Sequence, residues 1–300
     1  DALKADQSTT YTKSEVDTAL ALRVLQSAYD TKQASQDALD SAATTDRAAI
    51  RSEFAAADAL KADQSTTYTK TEVDSAVALQ IRDSISVQNI SLKKLILNMC
   101  EIAEREKDTT MLGRTHGQAA VPITFGLKVA VWIDEFRRHL DRLEEMTPRC
   151  TTGKFLGAVG TGAAQGERAL ELQELVLGNL GLEVPVATTQ VVGRDRYIEW
   201  VGWMANVSTT VEKVLQEIRN LQRTEIGEVS EAFDSEKQVG SSTMAHKKNP
   251  ITAENACGLA RIVRSMIIPS YENALLWHER DLANSSSERF TLSHSMILLD

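Results

Sequence analysis

"RDRYIEWVGWMANVSTTVEKVLQEIRNLQRTEIGEV" occupies residues 194–229, and its reading decides the fold. The stretch contains no proline, and its apolar side chains recur at helical spacing, so it predicts one long amphipathic helix. Similar stretches flank it. "RDSISVQNISLKKLILNMCEIAEREKD" (82–108) places Ile85, Ile90, Leu92, Leu95, Ile96, Met99 and Ile102 at helical intervals. A helix is predicted after Pro122, through "ITFGLKVAVWIDEFRRHLDRLEEM" to Met146, and another from Gly166 to Leu180, stopped by Gly181. A fifth starts after Asn249-Pro250, where proline is tolerated in the first turn, and runs to Ile268, with Pro269 interrupting it. Strand-like alternation is nearly absent. Five long helices joined by Gly-rich loops predict an all-α helical bundle.

Composition narrows the function classes. The chain has 300 residues, 42% hydrophobic and 25% charged, as in ordinary globular proteins of one large or two medium domains. A net charge of −9 argues against a broad nucleic-acid face. No apolar run reaches the length of a membrane span, and no signal peptide opens the sequence. Neither nucleic acid nor membrane is an expected partner. The three cysteines (Cys100, Cys150, Cys257) are odd in number and far apart. They read as buried structural thiols in a reducing cytoplasm, not as a disulfide or zinc framework.

Residues 1–80 differ from the remainder: they hold no Gly, Pro, Cys, Met, His or Trp. "DALKADQSTTYTKSEVDTALALR" (1–23) returns as "DALKADQSTTYTKTEVDSAVALQ" (58–80), with 19 of 23 positions identical. Such close self-similarity reads as a duplicated structural module. Good helix formers with a thin apolar stripe predict helices that need partners. Three segments are therefore expected: the repeat at 1–80, a central bundle at 81–290, and the start of a C-terminal helical domain at 291–300.

Four loops combine small residues with reactive ones: "GRTHGQ" (113–118), "TTQVVGRDR" (188–196), "GSSTMAHKKNP" (240–250) and "HERDLANSSSER" (278–289). A fifth, "GAVGTG" (157–162), is too generic to identify a phosphate loop. Arginines and hydroxyls suit phosphate or carboxylate, and a histidine can give or take a proton near neutral pH. A serine between glycine and lysines would need a closed, desolvated site to lose its proton. No metal cage, dinucleotide fingerprint or Walker loop is present. The implied chemistry is proton transfer on an anionic small molecule without metal or cofactor.

"GSSTMAHKKNP" resembles the signature loop of the fumarase/aspartase superfamily, G-S-S-x-M-P-x-K-x-N-P, departing only at Ala245. "GRTHGQAAVPITFG" and "WHERDLANSSSERF" are similar to the adenylosuccinate lyase branch, and the likeness runs over residues 74–300. The resemblance implies an all-α homotetramer whose sites are shared between subunits. It implies β-elimination of fumarate from adenylosuccinate to give AMP, in purine biosynthesis. By matching motif, Ser241 would be the base, with Ser242 beside it, and His116 the general acid. Lys247 and Asn249 would hold the succinyl carboxylates, and Gln190, Thr115 and Met244 would contact substrate. Arg280, Ser285 and Arg289 would bind the nucleotide phosphate. Residues 1–80 resemble the "YTKxEVDxALALK" repeats of phage tail-fibre coiled coils.

The same resemblance implies an N-terminal domain with a further histidine, for which residues 1–73 offer none; impaired activity is the expectation. A non-catalytic helical assembly module remains the contrasting reading. Within the superfamily, argininosuccinate lyase and carboxymuconate cycloisomerase are further alternatives.

Overall fold

The computed structural model describes residues 68–232, 244 and 247–300, with side chains from residue 75 onward. The first repeat copy and much of the second lie outside the described residues, as do Ser241, Ser242 and His246. The coiled-coil reading of the repeat therefore lies outside them too.

The elements run α1 (Tyr68–Arg105), β1 (Thr110–Thr115), β2 (Gln118–Thr124), α2 (Phe125–Cys150), α3 (Ala169–Asn179), α4 (Asp195–Leu221), α5 (Ile251–Ser265), α6 (Ile267–Glu272) and α7 (Ala283–Leu299). The expected all-α bundle is observed, with one short hairpin added. α1 and α2 pack along a seam that their sequences spell out. In α2 the buried positions beyond Gly126 are Val129, Trp132, Phe136, His139, Leu143, Met146 and Cys150, alternating steps of three and four. In α1, Ala78, Ile81, Ile85, Gln88 and Leu92 are buried at the same steps. That spacing keeps one stripe of each helix facing its partner, as in left-handed two-helix packing. Ile90 and Leu97 lie off the stripe and stay exposed.

α4 is the central element: it packs against α2, α5, α6 and α7. Trp200, Val201, Trp203, Met204, Ala205, Val207, Ser208 and Thr210 are all buried, so it is covered on most sides. Its apolar residues are thus spent inside the chain and form no exposed patch. Exposed apolar side chains instead lie on other helices, including Leu127 and Val131 of α2 and Ile262, Ile268 and Tyr271 of α5 and α6.

Several boundaries differ from expectation. α4 stops at Leu221, where the predicted helix continued to Val229; the chain leaves it in turns over 222–226, reverses at Gly227 (φ 63°), and returns Glu228 N–H to the Leu221 carbonyl. The α5–α6 break falls at Met266, three residues before Pro269. Proline lacks the N–H that would bond Ser265 and its ring crowds that carbonyl, so the chain yields there and Pro269 enters the first turn of α6. Cys150 and Cys257 are buried as expected, with burial pushing the Cys150 thiol up to about 12. Cys100, by contrast, is exposed.

Two buried polar groups of α4, Thr210 and Glu212, are paired across the bundle. Glu212, pushed up by burial but more strongly down by Arg264 and Arg261, ends below the ordinary carboxyl range and joins α4 to α5. His139 Nε2 lies 2.8 Å from Thr210 Oγ1, which donates to Glu135 Oε1 at 2.7 Å. Because Thr210 spends its proton on Glu135, the imidazole must donate from Nε2. Burial, reinforced by the charge of Arg142, pushes His139 from 6.5 down to about 4. The unfolded chain binds this proton at higher pH than the folded one, so stability falls as pH drops from 6.5 towards 4. Urea unfolding across that window should show the slope, and His139→Gln should flatten it; an unchanged slope would assign it to other groups.

Candidate active site

α4 sorts the residues expected to carry chemistry into two clusters. At 27 residues and 1.5 Å per residue it is about 40 Å long.

At its C-terminal end stand the β-hairpin and the loop entering α5. β1 and β2 pair antiparallel, with Thr115 opposite Gln118, so His116 and Gly117 form a two-residue turn. Their φ values are 54° and 74°, the double positive pattern of a type I′ hairpin turn. His116, expected in a loop, is therefore exposed at a hairpin tip. Glycine tolerates that backbone freely, whereas for histidine it is uncommon. Gly113 is required for another reason: a Cβ there would lie 2.5 Å from the Val121 carbonyl oxygen.

Lys247 and Asn249 line a cleft of about 700 Å³ together with Arg219, Gln222 and Glu254. Met244 is exposed, and its carbonyl accepts from Lys247 N at 3.1 Å. A neighbouring cleft of about 560 Å³ lies under the hairpin, between Met111, Pro122, Phe125 and Glu228. Val229 lines both clefts.

Sequence reasoning missed Glu231. Its carboxylate accepts from Ala253 N at 2.7 Å and Thr252 N at 3.2 Å, capping the start of α5. Pro250, at the cap position, supplies no side-chain hydrogen bond of its own. Glu231 N–H in turn donates to Gln222 Oε1, and Gln222 Nε2 donates to the Lys248 carbonyl. Segment 222–232 is thereby sewn to the loop that carries Lys247 and Asn249. A cap supplied from twenty residues away leaves no local signature, unlike a capping box.

At the N-terminal end of α4, loops 157–162, 188–194 and 277–283 meet. A Cβ on Gly160 would lie 2.0 Å from the Thr188 carbonyl oxygen. Thr189 Oγ1 donates to the Glu279 carbonyl at 2.9 Å. The Asp281 carboxylate accepts from Trp277 N and Ala283 N, both at 2.7 Å, and these bonds hold it below the ordinary carboxyl range. Arg194 and Glu288 form a buried two-point pair, with Nε–Oε1 2.7 Å and Nη2–Oε2 3.2 Å, which locks α7 to the start of α4.

These contacts place Gln190 and Arg280, both half-buried, in the same loop cluster. Ser285 and Arg289 follow on α7, four residues apart and so on one face. Arg280 Nη1 and Thr188 Oγ1 are buried without a hydrogen-bond partner. Most arginines of the bundle sit in ion pairs, yet among the described residues none involves Lys247, Arg280 or Arg289. Cationic groups kept out of internal pairs, beside orphaned donors, suit an anionic ligand. Among the described residues, no three His, Cys, Asp or Glu side chains converge as metal ligands would.

The hairpin bearing Thr115 and His116 and the loop bearing Lys247 and Asn249 thus lie towards the C-terminal end of α4, and Gln190, Arg280, Ser285 and Arg289 towards its N-terminal end. One chain does not bring the two groups together, because α4 separates them.

Comparison with known proteins follows this geometry. A family model described as lyase matches residues 13–265. Curated adenylosuccinate lyases from Methanothermobacter thermautotrophicus and Pyrococcus abyssi are each 51% identical over 228 residues, 76% of this chain and 51% and 50% of theirs. The chain thus spans about half the length of these relatives. Solved structures of a fumarate lyase from Mesorhizobium sp. BNC1 and a 3-carboxy-cis,cis-muconate lactonizing enzyme from Pseudomonas putida superpose with TM-scores of 0.68 and 0.71. Both are 32% identical, over 78% of this chain and 52% of theirs.

Glu231→Ala should remove the cap of α5 and cost about 1 kcal/mol in urea unfolding, with Glu231→Gln costing less. An unchanged midpoint in the alanine variant would show that the cap carries no stability.

Proposed function

This chain belongs to the lyase family, and we propose that it carries the central part of an adenylosuccinate lyase, eliminating fumarate from adenylosuccinate to leave AMP. The observation that carries this reading is the 51% identity to curated adenylosuccinate lyases. It exceeds the 32% identity to the muconate lactonizing enzyme and the fumarate lyase, which favours a nucleotide substrate. The phosphate-suited cluster of Arg280, Ser285 and Arg289 agrees.

In the proposed reaction a base removes the proton β to the departing nitrogen. Ser241 fills that role by motif, with Ser242 adjacent; both lie outside the described residues. The electron pair left on carbon is delocalised into the neighbouring carboxylate, where the ammonium of Lys247 and the amide of Asn249 offset the developing charge. The C–N bond then breaks, and His116 supplies the proton to the leaving nitrogen. Gln190, Thr115 and Met244 contact substrate. Arg280 and Arg289 hold the phosphate, the planar fork of guanidinium matching its oxygens. No cofactor enters the scheme.

We further propose a homotetramer in the cytoplasm. The 40 Å separation along α4 means that a complete site draws one cluster from one copy and the other from a second. The exposed apolar residues of α2, α5 and α6 supply surface for such association. The repeat at 1–80 would add a coiled-coil arm to that assembly.

Turnover of adenylosuccinate, followed by ultraviolet absorbance, should be abolished by Ser241→Ala; turnover unchanged in that variant would refute the assigned base. A second measurement tests sharing between copies. His116→Ala and Arg289→Ala should each be inactive alone, and activity should return when the two are unfolded together and refolded as mixed oligomers. Failure of mixing to restore any activity would place both clusters' contributions in one chain.

A further inference from the structure

The hairpin that carries His116 is a weak element by itself. A two-stranded ribbon is marginal in water, and five of the seven β2 residues are exposed. Its tip must nevertheless be held still, since a proton donor misplaced by about 1 Å loses on the order of 100-fold in rate.

Arg114, two residues before His116, reaches out of the hairpin to Glu228. The contact has two points, Nη1–Oε2 at 2.8 Å and Nη2–Oε1 at 2.7 Å. Each side chain is 24% exposed, so the pair is largely covered. Glu228 is itself placed by backbone: Gly227 turns the chain at φ 63°, and Glu228 N–H donates to the Leu221 carbonyl at 3.0 Å, at the end of α4. Its carboxyl is held below the ordinary range, chiefly by the Arg114 hydrogen bonds. The register shifts between Leu112 and Arg114, where Ala120 and Val121 of β2 face Gly113 alone; this β-bulge lies in β2 opposite the residue before Arg114, and bulges bend and twist the ribbon locally.

We infer that the Arg114–Glu228 pair is a positioning device that fixes the His116 tip against the end of α4. The inference rests on the reading of His116 as the general acid. The guanidinium fork sets both distance and angle, which a lysine ammonium cannot. A single partly exposed pair contributes little to global stability. Its loss therefore belongs in the geometry of the tip and only weakly in the unfolding midpoint.

The test is a charge swap in the full chain: Arg114→Glu, Glu228→Arg, the double variant, and Arg114→Lys. The readouts are hydrogen exchange of the peptide covering 110–124, adenylosuccinate turnover, and the urea midpoint. Each single reversal should speed exchange in the hairpin and lower kcat on the order of 10- to 100-fold, with KM within about twofold. The double variant should recover both, Arg114→Lys should fall between, and the midpoint should barely move. Faster exchange with unchanged kcat in an active enzyme would make the pair merely structural and overturn the inference. Unchanged exchange in both single reversals would overturn it as well. If the parent chain shows no turnover, the lyase reading fails by itself, and recovery of protection in the double variant decides the positioning role alone.

Discussion

The structure depends on the rigidity of α4. Thr210 and Glu212 are buried alongside Trp200, Val201 and Met204, and each has a partner on a neighbouring helix, while Ser208 donates to the Ala205 carbonyl of α4 itself. Thr210 is satisfied by His139 and Glu135, and Glu212 by Arg261 and Arg264. Leaving a buried charge without its partner would cost about 3–5 kcal/mol, so these contacts fix the rotation of α4 against α2 and α5. A helix held this way cannot bend to bring its ends together. Everything attached to the ends inherits a fixed separation.

The loops at the two ends are held by polar anchors of the same kind. Arg194–Glu288 and Asp281 brace the cluster around Arg280, and Glu231 with Gln222 braces the loop around Lys247. The division of labour follows partner by partner. Anchoring groups spend their hydrogen-bonding capacity on backbone or on an opposite charge. The groups read as substrate-facing, Lys247, Arg280 and Arg289, enter no ion pair among the described residues. An arginine bound for a ligand must pair less tightly inside the protein than with that ligand, and the bundle keeps the two populations apart.

How much of this was legible in the sequence varies with the range of the interaction. The seam between α1 and α2 was legible because heptad-like spacing is a local property, and Trp132, Phe136 and Leu143 obey it. The hairpin was not. "MLGRTHGQAAVPIT" lacks apolar alternation because β2 is mostly exposed and earns no burial, and the turn is made by His-Gly where Asn-Gly would have signalled it. The end of α4 was misplaced because "QRTEIGEV" continues the helical pattern, whereas the chain leaves the helix in turns from Gln222 and reverses at Gly227. Motif spacing marked His116, Lys247 and Arg289 individually as candidates. It could not show that they fall at opposite ends of one rod, since that follows from packing. Glu231 and Glu228 were invisible for the same reason: their partners are distant in sequence.

Residues at the helix ends are under a different packing constraint from those on the bundle faces. A bundle face is a packed surface, where changing one side chain disturbs its neighbours on another helix. The loops at the ends of α4 are braced by a few polar anchors, such as Asp281 and Glu231, with Gln190 and Lys247 on them and Arg289 on α7 beside one of them. Residues there can change without repacking Trp200 or Phe136. The superposition on a muconate lactonizing enzyme, at a TM-score of 0.71 with only 32% identity, fits this partition: the helical rod keeps its shape while most of its side chains differ.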